Sequence, residues 1–243
     1  MKVAVLSDIH GNREALLAVE DDIQRRGADL VVCLGDNVGY GPDPEEVIAL
    51  LRRRGYQSVL GNHEYALFDP RARRWLNFQA AENNIATAEL LSQANLTYCR
   101  SLPKYLAFET GYFVHGFPPS SVFRYLSRQS DATLAALLAT ADFSLLFLGH
   151  THKLQLVCQE HGEIVRRPLG VECLELLPGQ KYIINAGSVG QPRDGDNRTK
   201  YLLWDTTAAT LEVRSLAYDY SSTMQKIRQR GFGFPEAYAA RLG

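Results

Sequence analysis

Histidine, aspartate and asparagine side chains gather where short apolar runs of this sequence end. Five of the six histidines stand in that context, together with three other polar residues. These eight residues are Asp8, His10, Asp36, Asn62, His63, His115, His150 and His152. A single histidine at a strand end is more often structural than a ligand, but so regular an association indicates a metal centre.

Two pairs of these residues have a spacing that suits a shared pocket. Asp8 and His10 are two positions apart, and so are His150 and His152. In extended backbone, residues i and i+2 point to the same side, so each pair can reach into one pocket. Nitrogen and oxygen ligands without thiolates suit Mn, Fe, Zn, Co or Ni. Ligands from five segments of the chain are enough for two ions.

The apolar runs that precede these residues predict buried strands connected by helices. In the first third of the chain, KVAVLS, LVVCLG and QSVLG alternate with two helical patterns. Residues 12–26 carry an apolar helical stripe, and a second helix is predicted to start after Asp43 as N-cap and to end at Gly55. The resulting β-α-β-α-β order predicts parallel strands, whose carboxyl ends are where open α/β sheets bind ligands.

The later parts of the chain have a different pattern. Residues 64–102 are predicted to form a mostly helical insertion. LQLVCQEHGEIVRRPL indicates a hairpin about His161-Gly162, and YLLWDTTAATLEVRSLAY indicates a second hairpin, which together predict a second, largely antiparallel sheet. Residues 219–243 are predicted to be a helical tail. Without an evident linker or repeat, residues 1–243 are expected to form a single domain.

Composition narrows the class of protein. The 243 residues are 46% hydrophobic and 22% charged, with a net charge of −1, which disfavours a broad basic surface for nucleic acid. The four cysteines contain no C-x-x-C pair, so we expect reduced thiols and no cysteine metal site. No apolar run is long enough to cross a membrane or to form the core of a signal peptide, so a cytoplasmic location is expected.

Several short motifs occur in the order and spacing of a known family. They are D-x-H at 8–10, GD at 35–36, GNHE at 61–64, HG at 115–116 and GHTH at 149–152. This ordered set resembles the calcineurin-like metallophosphoesterase family. The resemblance implies a four-layer α/β/β/α sandwich of two mixed sheets flanked by helices. NAGSVGQPRDGDNR at 185–198 further resembles a bacterial and archaeal predicted-phosphodiesterase branch, although Ala186 stands where that branch usually has proline.

The resemblance also implies a role for each residue of the motifs. One metal ion would be bound by Asp8, His10 and His152, and the other by Asn62, His115 and His150. Asp36 would bridge both ions. His63 resembles the family's histidine that protonates the leaving oxygen or binds phosphate, and it is the predicted catalytic residue. Manganese is the favoured metal, with Fe, Zn, Ni or Co as alternatives.

The charge of such a centre predicts the kind of substrate. Two divalent ions bring four positive charges and the two aspartates return two, so an anionic phosphate ester is the natural guest. A bridging water should ionise near neutral pH and attack phosphorus, while His63 protonates the leaving group. The resulting prediction is a phosphoesterase for a small phosphate ester or anhydride, with a nucleotide phosphodiester or a dinucleoside polyphosphate preferred.

Three further residues are predicted to contact the substrate. Arg193 can pair with phosphate oxygens, with a surface role as the equal alternative. Tyr40 can form a lip over the substrate, or it can pack beneath the helix that follows it. Asn12 is expected to cap the first helix and to support the metal-binding loop.

Two other functions are kept as alternatives. Some relatives retain the fold as protein-interaction scaffolds and lose catalysis, typically by replacing the histidine that is present here as His63. Nuclease relatives share the motifs, but the near-neutral charge disfavours nucleic acid as a partner. The expected partner is a small, nucleotide-like phosphorylated substrate, with no membrane partner, and a homo-oligomer is left open.

Overall fold

In the computed structural model, two six-stranded sheets lie face to face between layers of helices. The structure describes residues 1–119, 121–231, 235–240 and 242. The strands are β1 (Lys2–Leu6), β2 (Leu30–Cys33), β3 (Gln57–Ser58), β4 (Tyr105–Phe108), β5 (Gly111–Val114), β6 (Leu145–Leu148), β7 (Leu154–Glu160), β8 (Glu163–Pro168), β9 (Cys173–Glu175), β10 (Tyr182–Ala186), β11 (Thr199–Asp205) and β12 (Thr210–Leu216). The helices are α1 (Arg13–Arg26), α2 (Pro44–Arg54), α3 (Asn62–Phe68), α4 (Pro70–Arg73), α5 (Phe78–Leu90), α6 (Gln93–Ser101), α7 (Asp131–Thr140), α8 (Tyr220–Arg230) and α9 (Pro235–Ala239).

Both sheets are mixed, which confirms the predicted fold class. The first sheet has the order β3-β2-β1-β11-β12-β9, and its strands β1, β2 and β3 are parallel as the sequence predicts. The second sheet has the order β4-β5-β6-β10-β7-β8, in which β5, β6 and β10 are parallel. Each sheet therefore contributes a set of parallel strand ends, and the site residues follow those ends.

The prediction that both hairpins belong to the second sheet is wrong for one of them. Both predicted hairpins form, β7–β8 about His161-Gly162 and β11–β12 about residues 206–209. However, β11 pairs with β1, so this hairpin extends the first sheet rather than joining β7–β8. Turn chemistry predicts that two adjacent strands pair, but it carries no information about which distant strand the hairpin then meets.

Alternation of side chains along the strands builds the layers. In β1, Val3 and Val5 belong to the apolar core between the two sheets, whereas Ala4 and Leu6 belong to the core beneath α1 and α2. A third apolar cluster joins the second sheet to α7 through Leu134 and neighbouring residues. The period of two thus gives each strand one face toward the other sheet and one face toward helices.

The helix boundaries follow the predicted signals with one exception. Asn12 caps α1 by accepting a hydrogen bond from the backbone N–H of Ala15 at 3.1 Å, as predicted. Asp43 occupies the N-cap position of α2, but its carboxylate makes no capping hydrogen bond. It accepts instead a hydrogen bond from Lys226 Nζ at 2.7 Å, which ties the start of α2 to helix α8.

The helical insertion predicted at residues 64–102 corresponds to α3 through α6, and the predicted tail begins with α8 and α9. Residues 232–234, 241 and 243 of that tail lie outside the described residues. Among the helices that the structure describes, none has the length and apolar character needed to span a bilayer.

Candidate metal centre

The strand ends of both sheets converge on one group of buried polar side chains. Asp8 and His10 follow β1, and Asp36 follows β2. His115 follows β5 in the second sheet. The remaining members are Asn62 and His63 at the start of α3, and His150 and His152 after β6. All eight side chains are buried, so residues 144 positions apart along the chain meet in one site.

The backbone is in a left-handed conformation at many of these residues. Asp8, His10, Asp36, His150 and His152 have φ values between 50° and 69°. Tyr40, which lies beside them, has φ of 60°. Non-glycine residues rarely adopt this conformation, because it costs about 1–3 kcal/mol, and it persists where the surrounding fold enforces it. The turns therefore aim these side chains in directions that relaxed loops would not adopt.

The first cluster consists of Asp8, His10 and His152. Asp8 Oδ1 lies 3.7 Å from His10 Nε2 and 3.3 Å from His152 Nε2. The two histidine Nε2 atoms are 3.2 Å apart. These three side chains can together hold one metal ion, because their ligand atoms lie within 4.8 Å of one another.

The tautomers of the two histidines make this cluster fit a cation. His10 Nδ1 lies 3.0 Å from the carbonyl oxygen of Val38, and His152 Nδ1 lies 2.6 Å from that of Gln191. Each Nδ1–H can donate to its carbonyl, which leaves a lone pair on each Nε2. Burial holds the pKa of both histidines well below the usual range, so both rings are neutral. Two lone pairs facing each other at this distance repel, and a cation between them would remove that repulsion.

The second cluster consists of His115, His150, Asn62 and Asp36. His115 Nε2 lies 2.9 Å from Asn62 Oδ1, 3.2 Å from His150 Nδ1 and 3.3 Å from Asp36 Oδ2. His115 Nδ1 contacts the carbonyl oxygen of Leu34 at 2.8 Å, which again directs Nε2 toward the cluster. Asp36, His115 and His150 can hold a second ion by the same distance criterion.

Asp36 lies between the two clusters. Its Oδ2 atom is 3.3 Å from His115 Nε2 and 3.9 Å from His10 Nε2. Its Oδ1 atom accepts a hydrogen bond from the backbone N–H of His63 at 2.8 Å. One carboxylate therefore faces both clusters while a hydrogen bond fixes its orientation.

The buried carboxyl groups of the site favour the binding of a cation. Burial raises the pKa of Asp8 to about 7. Burial would lower the pKa of His115, but the Asp36 carboxylate outweighs that effect and raises it to about 9. Burial would likewise raise the pKa of Asp36, but His115 and His63 hold it well below its usual range. Positive charge is therefore stabilised in the site, whether it is a proton on His115 or a bound metal ion. In addition, Asp8 Oδ1 has no hydrogen-bond partner within the described chain, so it is available as a ligand.

His63 lies beside both clusters, and with His10 and Asp36 it forms a third group whose ligand atoms lie within 4.8 Å of one another. Its Nε2 atom is 4.0 Å from Asp36 Oδ2, and its ring packs against the rings of His10 and Tyr40 with centroid separations of 4.9 and 4.7 Å. Gly39 makes room for this ring, because a Cβ atom there would come within 2.2 Å of His63 Nδ1. His63 also lines the open cleft, so it can meet a bound substrate.

Of the three residues predicted to contact the substrate, two line the cleft and one does not. Arg193 and Tyr40 line the same cleft as His63. Asn12 is 1% exposed and does not reach the cleft. Its amide group caps α1 and donates to the carbonyl oxygen of Gly190 at 2.9 Å, so the structure supports its bracing role and not a contact with substrate.

Glu64 is a structural residue whose importance the sequence reasoning missed. Its buried carboxylate accepts hydrogen bonds from the backbone N–H groups of Asp36, Asn37, Val38 and Gly61, at distances between 2.6 and 3.2 Å. Burial raises its pKa to about 7. The side chain therefore holds the loop after β2 against the start of α3, and with it the relative position of Asp36 and Asn62.

Two asparagines of α5 were also missed. Asn83 accepts a hydrogen bond from the backbone N–H of Tyr40 at 2.6 Å, and Asn84 donates to the carbonyl oxygen of His63 at 2.9 Å. Both side chains are fully buried. Consecutive asparagines inside a helix are unfavourable for the helix itself, and this local conflict is the signal that could have identified them.

Replacing Glu64 by alanine should destabilise the protein by about 3–5 kcal/mol, because four buried N–H groups would lose their acceptor. The free energy of unfolding in urea, measured on metal-free protein, checks this value. Glu82→Ala on the exposed face of α5 is the control and should change stability by no more than about 0.5 kcal/mol. A loss below about 1 kcal/mol for Glu64→Ala would show that water satisfies these groups instead.

The clusters open into a cleft of about 300 Å³. Its floor is formed by Asp36, Asn62, His63, His150 and His152. Part of its wall comes from α5 and the turn that precedes it. The residues of its walls are Tyr40, Trp75, Leu76, Asn77, Ala80, Phe123, Tyr125, Arg128 and Arg193. The aromatic residues Trp75, Phe123 and Tyr125 were not anticipated from the sequence, because nothing in their local pattern distinguishes them from core or surface residues.

Comparison with known proteins connects this geometry to a family. A family model described as calcineurin-like phosphoesterase matches residues 1–154, which include all eight site residues. An uncharacterized protein from Methanocaldococcus jannaschii is 34% identical over 230 residues, which cover 93% of this chain and 91% of that protein.

Solved structures share the whole architecture. The crystal structure of a metallophosphoesterase from Sphaerobacter thermophilus aligns with a TM-score of 0.85 and 32% identity, covering 100% of this chain and 98% of that chain. The structure of a hypothetical protein from Pyrococcus horikoshii aligns with a TM-score of 0.79 and 20% identity, covering 99% of this chain and 97% of that chain. At that identity, the second similarity shows the fold alone.

Proposed function

This chain belongs to the calcineurin-like phosphoesterase family and is thus a metal-dependent phosphoesterase hydrolase, and on that premise we propose that it hydrolyses a small nucleotide phosphodiester or dinucleoside polyphosphate at a two-metal centre. The observation that carries the proposal is the position of Asp36 Oδ2, which lies between two clusters of potential metal ligands and faces a histidine nitrogen of each. A cleft of about 300 Å³ suits a small substrate rather than a macromolecule.

The proposed ligand sets follow the two clusters. Asp8, His10 and His152 would hold one ion, and Asn62, His115 and His150 would hold the other, with Asp36 shared. When bound, the ions would supply Lewis-acid charge and would lower the pKa of a bound water. Asn62 is a neutral ligand, so two carboxylates leave the centre about two positive charges, which favour an anionic substrate.

The proposed roles of the remaining residues concern the leaving group and the substrate. His63 would donate a proton to the leaving oxygen, since its ring lies at the floor of the cleft beside Asp36. General acid catalysis of this kind contributes about 10²–10⁴-fold. Arg193 would bind phosphate oxygens, because it lines the cleft and its guanidinium is held by Gln191 Oε1 at 2.9 Å.

Removal of metal provides the direct test. After treatment with a chelator, hydrolysis of bis-p-nitrophenyl phosphate should fall at least about 100-fold, because the charge that stabilises the transition state is lost. It should return when divalent ions are added, and we expect Mn²⁺ to restore the most activity.

The same assay separates the alternatives. A panel of phosphomonoesters, cyclic nucleotides and dinucleoside polyphosphates identifies the preferred class, and single-stranded and duplex DNA test the nuclease alternative. Absence of turnover with Mn²⁺, Fe²⁺, Zn²⁺, Co²⁺ or Ni²⁺ would contradict the proposed diesterase reaction. Preferential cleavage of DNA with steep salt dependence would favour the nuclease.

A further inference from the structure

The cleft is bounded by an aromatic wall that the chemistry of the metal centre does not require. We define the aromatic wall as Trp75, Phe123 and Tyr125. Trp75 lies in the turn between α4 and α5, while Phe123 and Tyr125 lie between β5 and α7. Two distant segments of the chain thus place aromatic rings along one side of the same cleft.

Trp75 has an unusual exposure for its residue type. Its side chain is 76% exposed, the largest value among the exposed large hydrophobic residues of the described chain. Trp204, the other tryptophan, is 2% exposed in the core between the sheets. Tryptophan is highly buried on average, so an indole left in solvent at the mouth of a functional cleft has contact area available for a guest.

The rings of the aromatic wall are already arranged for stacking. Trp75 and Phe123 have a centroid separation of 6.0 Å and an interplanar angle of 29°. Tyr125 stacks on the ring of His150 at 3.9 Å and 18°. This second contact joins the aromatic wall directly to the metal centre, so a planar group on the wall would lie close to a phosphate at the metals.

The turn that carries Trp75 is fixed rather than loosely attached. The backbone N–H of Trp75 donates to the carbonyl oxygen of Ala72 at 3.0 Å. Arg73 donates to Asn84 Oδ1 and to the carbonyl oxygen of Ala66, both at 3.1 Å. Asn84 in turn donates to the carbonyl oxygen of His63. A chain of hydrogen bonds therefore runs from the metal centre to the turn that carries the indole, which limits the backbone entropy lost when a ligand binds.

Cationic side chains complete the cleft. Arg128 and Arg193 both line it, and the guanidinium of Arg128 lies 5.4 Å from the centroid of the Tyr125 ring. A ligand that combines a planar aromatic group with phosphate oxygens would match both the aromatic wall and these cations.

From these contacts we propose that Trp75, supported by Phe123, is the specificity-determining residue that stacks on the planar base of a nucleotide substrate while its phosphate is held at the metal centre. This inference rests on the proposed function. It specifies that the enzyme recognises the base of the nucleotide in addition to its phosphate. Stacking of a base on an aromatic side chain corresponds to about 5- to 150-fold in affinity.

Two substrates with the same leaving group test the inference. Hydrolysis of p-nitrophenyl thymidine 5′-phosphate is compared with that of p-nitrophenyl ethyl phosphate, in which no base is present. Trp75→Ala should lower kcat/KM for the nucleoside ester about 10- to 100-fold, and it should change that for the ethyl ester less than about threefold. Trp75→Phe, which keeps a stacking ring, should retain most of the preference.

A matched variant controls for the loss of an exposed aromatic ring. Phe78 is 69% exposed at the start of α5, three residues after Trp75, but within the described chain it is not among the residues that line the cleft. Phe78→Ala should therefore leave the ratio between the two substrates unchanged. Equal effects of Trp75→Ala and Phe78→Ala on that ratio, or equal loss on both substrates, would overturn the inference.

Fluorescence separates a failure of this inference from a failure of the proposed function. The hydrolysis-resistant α,β-methylene-ADP should quench the emission of exposed Trp75 saturably, whereas methylenediphosphonate should not, with buried Trp204 as the internal reference. If the nucleotide quenches the emission but neither ester is hydrolysed, the stacking site is supported and the proposed reaction is contradicted. Hydrolysis of both esters without quenching by the nucleotide would overturn the stacking site alone.

Discussion

Replacement of Asp36 by asparagine should lower kcat at least about 1000-fold, because the shared carboxylate supplies negative charge to both proposed ions and several kcal/mol of transition-state stabilisation depend on them. Asp36 Oδ2 is within 3.9 Å of a histidine nitrogen of each cluster. The amide keeps the shape of the side chain, so the fold should persist while bound metal falls below two ions per chain. Elemental analysis of the purified variant and steady-state kinetics check both expectations.

Two further variants sharpen the interpretation of Asp36. Asp142→Asn removes an exposed carboxylate between α7 and β6 and should retain the metal content and the activity of the parent. Asp8→Asn alters a member of the first cluster only, so it should weaken one ion more than the other. If Asp36→Asn keeps two ions and a kcat within about threefold of the parent, Asp36 is not the shared ligand.

Replacement of His63 by alanine should lower kcat about 10²–10⁴-fold for a diester with an alkyl leaving group, because the departing alkoxide then lacks a proton donor. The effect should be only a few-fold with p-nitrophenolate, which leaves as a stable anion. Metal content should be unchanged, since His63 is assigned as a proton donor and not as a ligand. Kinetics with the two leaving groups, together with elemental analysis, measure these differences.

The control for His63 is another histidine of the same chain. His161 is exposed in the β7–β8 turn, so His161→Ala should leave both rates unchanged. Equal loss on both leaving groups for His63→Ala would contradict its role as an acid and would favour the alternative role in phosphate binding.

The local parts of the candidate site could be predicted from the sequence. Asp8 with His10 and His150 with His152 are close because two-residue spacing brings neighbouring side chains to one pocket. Their position at the carboxyl ends of strands follows from the apolar runs that precede them, and the ordered motifs indicated the family that the comparison then established. These features depend on backbone geometry within a few residues.

The contacts that hold the site together could not be predicted in this way. The sequence does not show that Glu64 accepts four backbone hydrogen bonds, that Asn84 binds the carbonyl group of His63, or that β11–β12 extends the first sheet. Each of these depends on partners that meet only after the sheets have paired and packed.

The donor types, their order and the strand ends that carry them can be recognised in the amino-acid sequence. The position of Asp36 between the two clusters, the separation of Asn12 from the cleft and the exposure of Trp75 at the cleft all come from tertiary packing. The physical reason is that hydrophobic patterning and turn chemistry act over short stretches of chain, whereas the distance between residues such as Trp75 and Phe123 is set by the packing of whole elements.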